Sequence, residues 1–532
     1  MKKNIEKIKR SVEKVFAGNT KKILNPKQVA AILEETSTEG RDQVILAMKL
    51  LVKENVLEEI SPGKYITVFK HQFIAGKLEM TQRGSGYVVP EAGGDDIFIS
   101  NEFLNTALDK DKVKVNLFAR RGKDKPMGEV VEVIKRYKTD FVGVIQSNPS
   151  HAFFVPDDKK MYTDIFIPGE KLNKAKNGDK VIVRINEWTL EHKNPIGEVV
   201  EVIGKPGQHE TEMHSIIAEF GFAYKFPPEV EQDAEKIPDI ISKEEISKRK
   251  DFRNVTTFTI DPDDAKDFDD ALSIQKLKDN TWEIGVHIAD VSHYVKPGTR
   301  LDDEAYERGT SVYLVDRTVP MLPEKLSNGV CSLRPKEEKL TFSVVFKMND
   351  QAEILDVWYG KTIIYSDRRF SYEEAQDVIE TGVGDFASEL KKLNELAIQL
   401  KEARFKNGAM NFETEEVKFK LDENFKPVGI YKKVRKDAHK LIEEFMLLAN
   451  KKVAEFGFNA GKGKHLPFVY RVHDLPNEEK LKLFSSFASR FGYIIRTQSQ
   501  KAISTSLNEL LAKVEGKPEQ NLLQQQAIRT MA

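Results

Sequence analysis

The sequence predicts a multidomain α+β protein. It reads as a small helical domain with a terminal hairpin (residues 1–70), two tandem small β-barrels (71–137 and 138–205), a connector (206–250) and a larger mixed domain (251–532). Three observations predict this. The 532 residues suggest three or four domains at roughly 150 residues each. A set of short alternating strands occurs twice, at an offset of 68 residues. From Asp251 onward no further copy is visible, and strand patterns mix with amphipathic helix.

Composition sets the class. Hydrophobic residues make up 40% and charged residues 31%, an ordinary, rather charged, soluble balance. No run of 18 apolar residues is present, so no membrane span is expected. The N-terminus, MKKNIEKIKRSVEKVF, interleaves charges where a signal peptide needs an unbroken apolar centre. A single cysteine, Cys331, excludes an intrachain disulfide framework and a multi-cysteine metal site. Reducing cytosol is the expected compartment. The net charge of −1 does not by itself announce a nucleic-acid binder.

Taken in order, the N-terminal block is basic: 14 Lys and Arg against 9 Asp and Glu, a net of +5, leaving −6 for the rest of the chain. Pro26 opens KQVAAILEE, with apolar residues at helical spacing. A loop with Thr36, Ser37, Thr38 and Gly40 interrupts it. A second helix is expected through RDQVILAMKLLVKENV, with Val44, Met48, Leu51 and Val52 on one side. LEEISPGKYITV then reads as strand, Pro-Gly turn, strand. Helices followed by a hairpin outline a winged helix; a helical protein-interaction module shares that outline.

The next two domains are copies of one another. DIFI stands at 96–99 and 164–167, DKVKVNLF at 111–118 matches DKVIVRIN at 179–186, and GEVVEVI stands at 128–134 and 197–203. Five short strands in each copy fit a small closed barrel of the OB type. Tyr87, Phe153 and Phe154 fall on strands, where exposed rings beside positive charge would stack on bases. The same rings could instead fill the barrel core. This arrangement resembles tandem cold-shock domains and raises the expectation of single-stranded RNA or DNA. The connector, with KFPPEVEQDAEKIPD, is rich in proline and charge.

The most informative segment is DPDDAKDFDD, residues 261–270, in which six of ten residues are Asp. TTFTI before it and ALSIQKL, a turn and WEIGVHIAD after it read as strands. The acids therefore sit on a loop between strands. Carboxylates gathered there repel one another, so bound cations or raised pKa values must stabilise them. A calcium loop of the EF-hand kind needs Gly sixth and Glu twelfth; counted from Asp261, those places hold Lys266 and Leu272. A hard divalent cation held by few carboxylates, with room for phosphate and water, fits better. His287, Asp290 and His293 invite a second metal reading, but a strand and its turn would not gather all three on one side.

TIDPDDAKDFDDALSI resembles the signature of the ribonuclease II family of 3′→5′ exoribonucleases. Further matching segments follow in order: GVHIADVSHYV, YERGTSVYLVDRTVPMLPEKLSNGVCSL, DAHKLIEEFMLLAN and FVYRVHDLP. With an N-terminal winged helix and two cold-shock-like barrels, the resemblance spans essentially the whole chain. It implies processive hydrolysis of RNA from the 3′ end with Mg²⁺, releasing nucleoside 5′-monophosphates. It further implies that Asp261, Asp267 and Asp270 hold the metal directly or through water, and that Asp269 is the acid most essential to the chemical step. Tyr313 matches the aromatic that packs on the 3′-terminal base, Phe412 its partner in the clamp, and Glu443 a contact to the terminal nucleotide.

By the same resemblance the partners are single-stranded RNA, structured RNA with a 3′ overhang and the ribosome, and the protein is a cytoplasmic monomer. KKVRKDAHK, residues 432–440, offers five basic residues for phosphate contacts. The chain ends at QQQAIRTMA, without the arginine-bearing segment and further RNA-binding domain that family members carry. The resemblance thus implies a C-terminally truncated catalytic domain with impaired activity. A binding protein without catalysis, an RNA chaperone for example, and a transcription regulator would share parts of this sequence. Neither gains from six acids facing an anionic ligand.

Overall fold

The computed structural model describes residues 2–17, 22–54, 56–67, 73–118, 126–148, 151–410, 416–461, 463–464 and 466–531. The chain divides into two compact units, 1–222 and 223–532.

The first unit opens with α1 (Lys2–Ala17), α2 (Pro26–Ile32) and α3 (Thr38–Lys53), followed by the antiparallel pair β1 (Leu57–Ser61) and β2 (Lys64–Thr67). Asn25 caps α2 in a reciprocal box with Gln28. Helix α3 starts three residues before the RDQV stretch, because the Ser37 side chain accepts the Gly40 N–H and so supplies a cap inside what reads as a loop. Val44, Met48 and Leu51 are buried as their spacing requires. Leu24 pairs with Tyr65 through two backbone hydrogen bonds of 2.9 Å, adding a third edge to the wing.

Two five-stranded sheets follow. The first comprises β3 (Phe73–Met80), β4 (Gly86–Pro90), β5 (Ile97–Ile99), β6 (Lys112–Leu117) and β7 (Gly128–Lys135); the second, β8 (Asp140–Ser147), β9 (Ala152–Pro156), β10 (Ile165–Ile167), β11 (Lys180–Glu187) and β12 (Ile196–Gly204). The repeated motifs occupy equivalent strands. DIFI gives β5 and β10, and GEVVEVI gives β7 and β12. Asp111 and Asp179 cap equivalent turns, accepting from Leu108 N–H at 2.9 Å and Lys176 N–H at 2.7 Å. Each aspartate also pairs with a base 25 or 26 residues on, Arg136 and Lys205. The copies differ in closure. The second is a closed barrel, with β10 beside β12. In the first, β5 meets the chain before β7 only through the Phe98–Met127 bridge. Both closures use one matching bond, Phe98 N–H to Pro126 O and Phe166 N–H to Pro195 O, each 2.8 Å. Helix α4 (His209–Glu219) ends the unit.

The connector is largely helical: besides α4 it holds α5 (Pro228–Glu235) and α6 (Lys243–Ser247), which begin the second unit. Proline supplies the preset φ at the start of α5. The unit is built on β13 (Lys250–Phe252), β14 (Thr257–Asp261), β15 (Asp270–Lys276) and β16 (Trp282–Ala289). After α7 (Val291–Tyr294), α8 (Arg300–Arg308) and the two-residue strands β17 (Val312–Tyr313) and β18 (Thr318–Val319) come β19 (Glu338–Met348), β20 (Ile354–Tyr365) and β21 (Arg368–Ser371). The seven-stranded order is β13-β20-β19-β16-β15-β14-β21. Strand β14 is buried along its whole length. Helices α9 (Tyr372–Thr381), α10 (Ala387–Lys406) and α11 (Asp437–Ala460) cover one face, and the hairpin β22 (Glu416–Leu421) and β23 (Pro427–Lys433) precedes α11. Phe258, Leu272, Val286, Phe346, Leu393 and Phe445 belong to the core beneath those helices. Helices α12 (Glu478–Ser489), α13 (Gln500–Val514) and α14 (Gln520–Ile528) close the described chain around a small core of their own.

Candidate active site

The acidic loop joins β14 to β15, as the strand patterns predict. It is pinned from three directions. Phe268 N–H donates to Ser332 Oγ at 3.0 Å, and Ser332 Oγ donates to Lys266 O at 2.8 Å. Ala289 N–H donates to Asp269 O at 3.0 Å. The Arg369 guanidinium on β21 donates to Pro262 O and Asp263 O and lies over the Phe268 ring. The parallel register of β14 with β21 sets Thr259 opposite Arg369 and so brings this arginine to the loop. Ser332 and Arg369 escape sequence reasoning because their partners lie 64 to 107 residues away. The only local signal is the paired arginine in SDRRFSY.

The four acids differ in setting. Burial raises Asp261 to about 7; Thr259 nearby pulls it down in part, and the charges of Asp270 and Asp267 push it up while Arg369 opposes them. Asp261 Oδ2 and Thr259 Oγ1 are nonetheless both buried without a partner in hydrogen-bond geometry. Burial raises Asp270 to about 6, with Asp269 adding repulsion. Asp269 reaches solvent, yet the protein around it still raises its pKa, with Asp267 second. Desolvation, more than mutual repulsion, is thus the main cost of charge here. Asp263 and Asp264 are exposed, and the Asp263 carboxylate lies 3.7 Å from the Arg369 guanidinium.

Tyr313 is 63% exposed. It sits on the β17–β18 hairpin, and its hydroxyl donates to Asp267 Oδ2 at 2.7 Å. A solvent-facing ring and the acidic loop are therefore directly joined. Phe412 lies outside the described residues. Glu443 on α11 is half-buried and pairs with Arg435, so its carboxylate already has a cation within the chain. Lys433 of the same basic stretch pairs with Glu416 at 3.4 Å.

In the barrels the aromatic candidates separate. Tyr87 is partly exposed beside Phe98, with ring centroids 5.4 Å apart. Phe153 is partly exposed and touches the rings of His151 and Phe166. Phe154 is 0% exposed and fills the second barrel. That corrects its reading as a base-stacking residue: consecutive strand residues face opposite sides, so Phe153 and Phe154 cannot both point outward.

The rejected metal trio falls apart structurally. His287 is buried between Ser343 Oγ at 2.7 Å and Ser273 Oγ at 2.8 Å. Asp290 pairs with the buried Arg249 at 2.7 Å, and His293 lies 3.5 Å from Glu245. Cys331 is buried, which pushes its thiol up to about 12 and leaves it unreactive.

Would a cation suit the acidic loop? Among the described residues no three His, Cys, Asp or Glu side chains are already drawn together as a metal cage. The donors nevertheless suit a hard cation. They are all carboxylate oxygens, one of them buried without a partner, and each gains stability if positive charge replaces the lost water. No described helix is long and apolar enough to cross a membrane.

Comparison with known proteins matches three family models: RNB domain at residues 249–532, Cold shock domain at 153–227 and Ribonuclease B OB domain at 76–133. Ribonuclease R of Thermotoga maritima is 36% identical over 98% of this chain and 74% of its own length. Ribonuclease R 1 of Lactococcus lactis is 32% identical over 96% of this chain and 65% of its own length. Among solved structures, Mycoplasma genitalium RNase R in complex with ribose methylated single-stranded RNA superimposes with a TM-score of 0.80. That match has 24% identity and covers 86% of this chain and 73% of that one.

Proposed function

Because the chain belongs to the ribonuclease R family of RNB-domain exoribonucleases, we propose that it hydrolyses RNA processively from the 3′ end and releases nucleoside 5′-monophosphates. The observation that carries this reading is the direct bond between Tyr313 and Asp267. It joins a solvent-facing ring, able to stack on a terminal base of any identity, to a loop of partly desolvated carboxylates.

In this reading Asp261, Asp267 and Asp270 hold Mg²⁺. When bound, the cation supplies positive charge that offsets the carboxylates and the charge developing on the phosphate. Asp269, the most solvent-open of the three acids whose pKa is raised, takes the proton of the attacking water. The Tyr313 ring holds the terminal base while its hydroxyl fixes the orientation of Asp267. Tyr87 and Phe153 offer partly exposed rings for RNA on the two barrels. The substrates are single-stranded RNA and structured RNA with a 3′ overhang.

Asp269→Asn should abolish degradation of a 3′-tailed RNA while gel-shift binding persists, and EDTA should stop the parent. Equal degradation rates for variant and parent would refute the catalytic assignment. A parent chain that binds RNA but never shortens it would leave the reading of a non-catalytic RNA-binding protein.

A further inference from the structure

The turn after β16, in ADVSHYV, carries buried charge to which the acidic-loop chemistry gives no role. Arg249, the residue before β13, is buried, and so is Asp290, the first residue after β16. The Arg249 guanidinium uses every edge. Its Nε donates to Glu245 Oε1 at 2.8 Å and its Nη2 to Asp290 Oδ2 at 2.7 Å. Its Nη1 donates to Thr341 O at 3.2 Å and to Thr362 O at 3.4 Å. Those two threonines are direct partners on β19 and β20. Asp290 also accepts from Ser292 Oγ at 2.7 Å and lies 3.3 Å from Lys361 Nζ. One cation thus ties α6, through Glu245, to the end of β16 and to two further strands. A planar guanidinium can serve these directions at once, whereas an ammonium is a point charge.

What this tie holds lies next to the acids. The backbone at the end of β16 alternates between two neighbours. Ala289 N–H donates to Asp269 O at 3.0 Å, and Asp290 N–H donates to Leu340 O at 3.0 Å. One residue earlier, Ile288 is the direct partner of Asp270. The last residues of β16 therefore carry the second half of the acidic loop, and the Asp290 side chain is where that strand end is fastened. As a source of stability such a tie is weak, because taking two ions out of water costs about as much as their attraction returns. What it supplies is a fixed position for the strand end.

We propose that Arg249 and Asp290 are positioning residues for Asp269. The pair fixes the end of β16, and the Ala289 N–H at that end fixes the Asp269 backbone. Neither residue touches substrate; both act through the strand. This rests on the nuclease reading above, in which Asp269 takes a proton. A displacement of about 1 Å at a reacting group can cost about a hundredfold in rate even when its cause lies outside the site. Glu245 supplies the internal contrast. It accepts from the same guanidinium, but it stands on α6 and fastens no strand end beside the acids.

The test compares the full chain with its Asp290→Asn, Arg249→Lys and Glu245→Gln variants. Asp290→Asn keeps the shape and removes the charge; Arg249→Lys keeps the charge and removes the fork. Single-turnover cleavage of a 3′-tailed RNA should fall by about a hundredfold in both. Affinity for the same RNA, read by fluorescence anisotropy, should stay within about twofold, so that the loss falls on kcat and not on KM. Glu245→Gln should cleave within about twofold of the parent. Hydrogen exchange followed by mass spectrometry reads the position directly. The Ala289 amide should exchange about tenfold faster in Asp290→Asn and Arg249→Lys, while the amides of β14 stay protected. Unchanged cleavage or an unchanged Ala289 amide in both variants would overturn the proposal. So would an equal loss in Glu245→Gln, or protection lost throughout β14, since either makes the pair a tie that only holds the fold. Failure of the nuclease reading would look different: the parent would bind the RNA and leave it uncut, whatever the Ala289 amide shows.

Discussion

Tyr313 makes two separable contacts through one side chain, a ring open to solvent and a hydroxyl on Asp267. The two can be dissected. Tyr313→Ala should weaken binding of a 3′ end by about 1–3 kcal/mol, the usual cost of losing one base stack. Tyr313→Phe should bind nearly as well but turn over more slowly, because Asp267 loses its fixed donor. Anisotropy and single-turnover rates on the same oligonucleotide separate these effects. His287 makes a prediction of another kind. Buried between two serines with no Cβ on Gly285 to crowd it, its ring is held neutral and its pKa lowered to about 3 by burial. In the unfolded chain it takes a proton near pH 6.5. Its stabilising contribution is therefore complete above pH 6.5 and is lost as pH falls from there toward 3, by up to about 5 kcal/mol. His287→Asn should flatten that part of the pH–stability curve, read from urea midpoints. At this scale the acidic loop was legible because six Asp in ten residues stand out, whereas Tyr313 was singled out only by the resemblance of its segment to the family's. Phe154 was not legible, since AFFVP is apolar at every position and alternation has no contrast from which to choose a side.

Elements are held to one another by a few polar ties whose removal is asymmetric. Arg404 on α10 makes a two-pronged contact with Glu444 on α11, and the carboxylate is the more deeply buried partner. Arg404→Met strands a charge in the core and should cost about 3 kcal/mol. Adding Glu444→Met should recover much of that loss in a double-mutant cycle by chemical denaturation. Strand and hairpin boundaries around the acidic loop followed from the sequence, because polar turns punctuate apolar runs there. The start of α3 did not, because Ser37 looks like loop until its side chain is seen capping the helix. Nor did the clamp on the acidic loop. Arg369 acts from the neighbouring strand β21 and Ser332 from the loop before β19, and a local window cannot show which distant segment will become a neighbour.

Across the whole molecule, each compact unit has its own apolar cores. The winged-helix-like block and the two barrels bury Met48, Leu78 and Ile165, while the second unit buries Val286 and Phe346. The barrels are further tied together, as the Tyr162 hydroxyl donates to Asn105 O at 2.9 Å and to Ala107 O at 3.2 Å. Unfolding should show more than one transition. Leu78→Ala, at about 2–5 kcal/mol for a large core truncation, should shift one transition and leave another in place; Val286→Ala should do the converse. Differential scanning calorimetry would reveal both. The modular order was legible from the sequence through the repeat, whereas the helical content of the connector was hidden by its prolines and charge.

That repeat also poses a problem of kinetics. The strands IFI and GEVVEVI exist twice in one chain, so a collapsing polypeptide offers each strand two chemically equivalent partners. The entropic penalty for choosing the remote one grows only slowly, by about 0.6 kcal/mol per doubling of the intervening loop. Exchanged barrels, in which one copy lends a strand to the other, are then close competitors of the native pairing during refolding from denaturant. Synthesis from the N-terminus removes the ambiguity, because the first copy can finish before its rival has been made. The duplicated architecture ties clean folding to the direction of translation.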